Sequence, residues 1–409
     1  MKVMSPDAPA VPEDVAPVAA PFGSHKLRYT EGTILPAGEQ TVLDQAVRDF
    51  YDKTWREWFL ETGCAPGLYY VRSATMENNL TVSEAHGYGM MILALMAGHE
   101  PRAKAYFDGM YRYFRTFPSR FSPDLMAWYQ NTSCENDEGD DSASDGDIDI
   151  AYAMLLADKQ WGSCGEINYK EEALKIIAAI RDQELDGHKQ YVVLGDWVKP
   201  GDAKFYPATR PSDFVVDHFH TFGAVSNDPA WSQLNDSLLE ITTAVQREHS
   251  PTAGLVPDFV LNPKTSPTPA DVGFLEGEHD GMYAYNACRT PWRWGTHFLV
   301  SGDERWRDVL RKMNAFAKTI SKSDPNNLRS GYDLDGKATQ AENNMSFIAP
   351  FGVSAMIDAE NQDWLDSIWK LMLERRTEGY YKDSIKLLSM IVMTGNWLAP
   401  EALPDVSCQ

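Results

Sequence analysis

Positive charge is scarce in this chain: 37 Lys and Arg stand against 59 Asp and Glu among 409 residues, a formal net charge of −22. A surface that negative repels phosphate backbones and anionic lipid, which argues against nucleic-acid and membrane-surface partners. Long apolar runs are missing too. The best, residues 90–97, falls far short of the roughly 20 residues that a membrane span needs. Cysteine is sparse, and Cys64, Cys134, Cys164, Cys288 and Cys408 form no CxxC pair. That spacing argues against a zinc site or a disulfide-dense scaffold and leaves room for one or two bridges. Strand-like alternation is nearly absent, with residues 191–194 the best short stretch, and no solenoid-type repeat occurs. Residues 1–25 are rich in Pro and Ala and lack an apolar signal core, so 1–38 reads as a disordered leader or linker with an N-terminal extension.

What is abundant is helical periodicity and aromatic rings. From about residue 39, apolar residues recur every three to four positions, as in Ala173, Ile176, Ile177 and Ile180, or Trp306, Val309, Leu310 and Met313. Caps and Gly/Pro breaks predict twelve helices, near 39–59, 83–98, 101–117, 147–161, 169–184, 210–225, 229–248, 283–301, 303–321, 341–357, 360–376 and 379–395. Helical hairpins each need a neighbour to cover their apolar face. Six of them fit an all-α ring, an (α/α)6 barrel, within a single domain over 39–409. The long irregular stretches at 118–146, 185–209 and 249–282 then carry the chemistry. Twelve Trp, 18 Tyr and 17 Phe exceed what one core usually needs, and flat rings suit flat ligands.

Three acidic features fall where loops meet helices. Ser83 is a plausible cap that puts Glu84 in a first turn, with Gly87 and Gly89 allowing close backbone approach. An acidic first-turn residue also simply complements the helix dipole. The second feature runs from Glu135 to Asp141 and on through Asp145, Asp147 and Asp149. Alternating aspartates suggest calcium, but Ile150 stands where an EF-hand loop needs Gly. Asp140, Asp141 and Asp145 are spaced one residue too widely for a diphosphate-Mg²⁺ motif, and a solvated acidic loop is the plain alternative. The third feature is Glu276, Glu278 and Asp280, followed by Tyr285, Asn286 and Arg289.

Together these segments resemble glycoside hydrolase family 8. Residues 143–161 (Ala-Ser-Asp-Gly-Asp, then Ile150, Ala151, Ala153, Met154, Leu155, Ala157 and Trp161) reproduce the family signature. Residues 81–90 resemble the segment carrying the general acid, with Ala85-His86 where Gly-Gln is commoner. Residues 125–128, 195–197, 210–213, 285–289, 349–351 and 395–397 extend the likeness across roughly 40–398. The resemblance implies an inverting endo-enzyme on an (α/α)6 barrel, secreted and monomeric, with no cofactor and no metal. It implies Glu84 as proton donor and Asp145 as the carboxylate that binds the distorted sugar and raises the Glu84 pKa by like-charge repulsion. Asn286 departs from the Asp base of many members. The subgroup with Asn here is similar to enzymes whose base is a Glu in a preceding loop, which nominates Glu276, with Glu278 and Asp280 as rivals. Trp128, Trp197 and Tyr285 are candidates for stacking on sugar rings, Asn286 and Arg289 for polar contacts, and Asp213 for bracing the barrel.

That subgroup includes chitosanases and lichenases. Net negative charge and the acidic stretch would draw a polycation, so chitosan is the first expectation for the substrate. Mixed-linkage β-1,3-1,4-glucan or β-1,4-glucan is the alternative. A non-catalytic carbohydrate-binding protein on the same fold is a reading of a different class.

Overall fold

The computed structural model describes residues 17–74, 77–136 and 139–407. Twelve helices of eleven residues or more are found among them: α1 (Gln40–Phe50), α2 (Ser83–Leu95), α3 (Ala103–Thr116), α4 (Ser144–Trp161), α5 (Tyr169–Gln183) and α6 (Val216–Ser226), then α7 (Ala230–Glu248), α8 (Thr290–Ser301), α9 (Arg307–Ser321), α10 (Met345–Ala355), α11 (Gln362–Glu374) and α12 (Tyr380–Met393). Even-numbered helices pack side by side in the order α2, α4, α6, α8, α10, α12 and back to α2, which closes an inner ring. The odd-numbered helices α3, α5, α7, α9 and α11 lie outside it, each against the helix before it or after it, and α1 closes the outer layer against α12. This is an (α/α)6 barrel.

Composition explains the layering. The inner helices α4 and α10 are buried along their whole length, and α2 is buried everywhere except Glu84. A helix with no solvated face must be surrounded by protein, and the buried aspartates of α4 must then find partners inside it. The outer helices bury one stripe each, as in α9 with Val309, Leu310, Met313 and Ala317, and keep charge on the other face.

Among the described residues seven short strands interrupt the loops: β1 (Leu60–Thr62), β2 (Tyr69–Val71), β3 (Asn79–Val82), β4 (Tyr129–Asn131), β5 (Ala208–Thr209), β6 (Val260–Leu261) and β7 (Thr268–Pro269). They form a β1–β2 pair, a β3–β4 pair and a β5–β6–β7 sheet, all antiparallel. The stretch 191–194 is not a strand; it is buried irregular backbone with one bridge, Val192 to Leu185. A Cys64–Cys134 disulfide ties the β1–β2 hairpin to the end of β4. Cys164 is also disulfide-bonded, while Cys408 lies outside the described residues.

The leader expected over 1–38 divides at residue 17. Residues 1–16 lie outside the described residues. From residue 17 on, the chain is a strap across the far rim of the barrel. Its N–H groups at Ala19, Phe22, Thr30 and Ile34 donate to the carbonyls of Gln160, Ala97, Leu299 and Met356, and the Tyr29 hydroxyl donates to that of Val392. These carbonyls lie at or just past the ends of α4, α2, α8, α10 and α12, where intrahelical donors run out; that of Val392 also accepts the Gly395 N–H. No helix among the described residues is long and apolar enough to cross a membrane.

Candidate active site

The opposite rim gathers the starts of the inner helices around one open cavity of about 670 Å³. Glu84 comes from the first turn of α2, Asp145 from that of α4 and Tyr380 from that of α12. Arg210 and Asn286 come from the turns ahead of α6 and α8, and Glu276 from the loop before α8.

Two glycines set the separation of Glu84 and Asp145. A Cβ on Gly87 would lie 2.6 Å from the Asp149 Cβ, and one on Gly146 would lie 2.6 Å from the Ser83 main chain. Only glycine lets α2 and α4 touch this closely at the turns carrying the two acids. Ser83 is not the helix cap expected of it. It is the first helical residue, and its N–H donates to the carbonyl of Trp128 (2.9 Å). The β3–β4 pair thus delivers Glu84 beside Trp128. His86 ties α2 outward to α3 through Nε2 and the Met110 carbonyl (2.7 Å), and burial depresses its pKa to about 4.

One buried guanidinium organises the acids. Arg289 Nη1 lies 2.7 Å from Glu84 Oε2 and 2.7 Å from Asp145 Oδ2, while Nη2 donates to Ser212 Oγ (2.8 Å) and Asn286 Oδ1 (2.9 Å). Its side chain is 1% exposed and does not line the cavity, so Arg289 stands behind the wall, bonded to the acids. Arg210 Nη1 approaches Asp145 Oδ2 at 3.5 Å, and its Nη2 approaches Glu276 Oε1 at 3.7 Å. Burial pushes Glu84 up to about 7; Arg289 opposes this, Asp145 adds to the rise, and the hydroxyl of Tyr380, which donates to Glu84 Oε1, opposes it again. Like-charge repulsion from Asp145 therefore contributes as expected, but burial is the larger cause. Burial works against the ionised Asp145 as well, yet Arg289 and Arg210 hold its pKa below the usual range.

The three alternating aspartates of α4 have three different partners. Successive residues of a helix turn by about 100°, so 145, 147 and 149 cannot converge on one ion. Asp145 meets Arg289, Asp147 Oδ1 accepts the Met126 N–H (2.8 Å), and Asp149 takes a bidentate bond from Arg293. In the loop ahead of them Asp140 and Asp141 pair with Arg120 at 3.3 and 3.8 Å, and Asp137 and Glu138 lie outside the described residues.

The three acids of the third feature separate cleanly. Glu276 lines the cavity with its side chain 48% exposed, and its Oε2 accepts from Asn286 Nδ2 (2.7 Å). Glu278 is 79% exposed beside His279 and does not line the cavity. Asp280 is buried and accepts the N–H groups of Leu275, Glu276 and Gly277, so it shapes the loop that presents Glu276. Trp128 and Trp197 line the cavity. Tyr285 does not: its hydroxyl meets Asn344 Nδ2 at 3.1 Å and its ring packs edge-on against Phe347. Asp213 is buried beside Arg210 and Ser212, a bracing position. Tyr380, Tyr381, Phe205 and Arg210 complete the wall. Of these only Arg210 carried a signal, as part of a matched segment.

The family model described as "Glycosyl hydrolases family 8" matches residues 52–395. A "Beta-glucanase" of Niallia circulans is 45% identical over 92% of this chain and 91% of that protein. An "Endoglucanase" of Bacillus sp. (strain KSM-330) is 36% identical over 90% of this chain and 79% of its own. The apo structure of a beta-1,3-1,4-glucanase from Paenibacillus sp. X4 superposes with a TM-score of 0.90 at 45% identity, covering 93% of this chain and 99% of that one.

Proposed function

This chain belongs to glycosyl hydrolases family 8, and on that premise we propose that it is an inverting endo-β-glucanase acting on mixed-linkage β-1,3-1,4-glucan. One observation carries the choice of a neutral glucan over chitosan: the acids at the centre of the cavity are already countered. Asp145 faces two guanidinium groups, Glu84 faces Arg289 and Tyr380, and Glu276 faces Asn286 and Arg210. A glucosamine amine entering here would find each of these carboxylates already facing a cation or a hydrogen-bond donor, with Arg210 adding positive charge at the wall. Among the described residues of the acidic stretch, Asp140, Asp141, Asp145 and Asp149 pair with arginines and Asp147 accepts a main-chain N–H. The names of the relatives, beta-glucanase, endoglucanase and beta-1,3-1,4-glucanase, favour the same reading.

In this mechanism Glu84, kept protonated near neutrality by burial, donates its proton to the glycosidic oxygen. Glu276 takes a proton from the water that attacks the anomeric carbon from the other face. Inverting enzymes hold these two groups about 6.5–9.5 Å apart to admit that water. Glu276 suits the base better than Glu278 because it alone of the two faces the cavity. Asp145, held ionised by its two arginines, accepts hydroxyls of the distorted sugar and helps keep Glu84 protonated. Trp128 and Trp197 stack on apolar sugar faces. Asn286 orients Glu276, and Arg289 holds Glu84 and Asp145 in register.

We read the enzyme as secreted, since the Cys64–Cys134 bridge suits an oxidising compartment. Side-by-side reducing-sugar assays on mixed-linkage β-glucan, carboxymethylcellulose and chitosan test the substrate, with β-glucan expected to be fastest. The initial product should be the α-anomer by ¹H NMR. Faster hydrolysis of chitosan would reject the substrate assignment, and binding without hydrolysis would select the non-catalytic reading.

A further inference from the structure

Asn286 stands at the position where an acid was expected, and its amide has a fixed orientation. Nδ2 faces two carboxylates, Glu276 Oε2 at 2.7 Å and Asp258 Oδ2 at 3.4 Å, while Oδ1 accepts from Arg289 Nη2 at 2.9 Å. Turning the amide over would set its oxygen against two carboxylates and its NH₂ against a guanidinium. Asp258 is itself 5% exposed, on the segment just ahead of β6, and its Oδ1 accepts the N–H groups of Ala284 (3.1 Å) and Ala287 (2.6 Å), which flank Asn286. The carboxylate therefore holds both the main chain and the side chain of Asn286. Cavity-lining residues include Glu276 and Asn286 but not Asp258. It touches neither the cavity nor Glu276 through any hydrogen bond of its own.

We propose that Asp258 is a positioning residue for the general base: through the Asn286 amide it fixes Glu276 Oε2, leaving Oε1 toward Arg210 and free for the attacking water. The inference rests on the reading of Glu276 as base. It also accounts for an amide at 286. An aspartate there would put three carboxylates in contact, whereas an asparagine has two N–H groups for the two carboxylates and one oxygen for Arg289. The charged groups facing Glu276 are then Arg210 and, across the amide, Asp258 and Arg289.

The test uses the full chain and soluble mixed-linkage β-glucan. Asp258→Asn keeps an oxygen for the two backbone N–H groups but turns an NH₂ toward the Asn286 NH₂, so the bridge to Glu276 is lost. The expected result is a fall in kcat of about 10- to 100-fold, the scale on which misplaced catalytic groups act, with KM within about twofold. A fall in kcat with KM held, in protein whose unfolding midpoint is unchanged, distinguishes a misplaced base from a weakened fold. In the Asn286→Ala background, Asp258→Asn should add nothing, the signature of a residue acting through Asn286. Asp258→Ser, which retains an acceptor for one backbone N–H and cannot reach Asn286, is the second variant if the first fails to fold, with the same expectations. Glu276→Gln is the control. If it is inactive while Asp258→Asn keeps the wild-type kcat, or if the two single effects multiply in the double variant, the positioning role is overturned and the base stands. An active Glu276→Gln would overturn the base assignment itself.

Discussion

Replacing Tyr380 by Phe removes one hydroxyl and leaves a ring of the same shape, so its effect on Glu84 can be worked out in advance. The hydroxyl donates to Glu84 Oε1 and favours the ionised form, opposing the burial that pushes Glu84 up to about 7. A hydrogen bond to a charged group is worth about 1.5–3 kcal/mol net, and one pH unit corresponds to about 1.4 kcal/mol. Arg289 remains against Oε2 and takes up part of the loss, so the lower end of that range applies. The alkaline limb of the pH–rate profile, which reports loss of the acid's proton, should therefore move upward by about one pH unit. The measurement is kcat/KM for mixed-linkage β-glucan between pH 4 and 10 at constant ionic strength. A limb that stays in place or moves toward acid would refute Glu84 as the acid or Tyr380 as its donor. KM is free to change, since Tyr380 also lines the cavity.

Three further outcomes follow from the same geometry. Asp145→Asn removes a like charge and releases Arg289 toward Glu84, so the alkaline limb should move toward acid, opposite in sign to Tyr380→Phe, beneath a large loss of kcat. Gly146→Ala drives a methyl group into the Ser83 main chain and should cost about 1–3 kcal/mol in denaturant unfolding, with kcat falling because Glu84 and Asp145 are pushed apart. Cys64→Ser opens a loop with a sequence separation of 70 residues and should lower unfolding free energy by about 2–4 kcal/mol, a loss absent if the wild-type protein is first reduced.

The helical frame is legible because its signal is repeated: each of the twelve elements spans three or more turns between breaks, periodic in outer helices such as α9 and nearly continuous in inner ones such as α4 and α10. Boundaries failed where local turn chemistry takes over. The helix expected from 210 begins at Val216 because residues 211–213 form a 3₁₀ turn, and that expected from 283 begins at Thr290 after another at 287–289. The strands escaped notice because two to four residues are too few for alternation to show. The run 191–194 reads as a strand because Tyr, Val, Val and Leu are residues that strands favour, yet it is buried irregular backbone with a single bridge. Glu84, Asp145 and Glu276 were legible from motifs. Tyr285 was misplaced because its neighbour Asn286 faces the cavity while its own ring turns toward Phe347. Tyr380 and Asp258 have no local pattern at all, since each is bonded to a residue distant in the chain.

The strap at the far rim has a consequence for how this chain tolerates change. It meets the closing carbonyls of five helices through four main-chain N–H groups and the Tyr29 hydroxyl, with His25 and Thr30 adding side-chain bonds to neighbouring carbonyls and Ala20, Phe22 and Pro36 buried beneath it. Most positions along it are accordingly permissive: their side chains can be exchanged while the seal persists, and what must be kept is the length and course of the thread. Shortening it by a few residues should matter more than rewriting most of its letters.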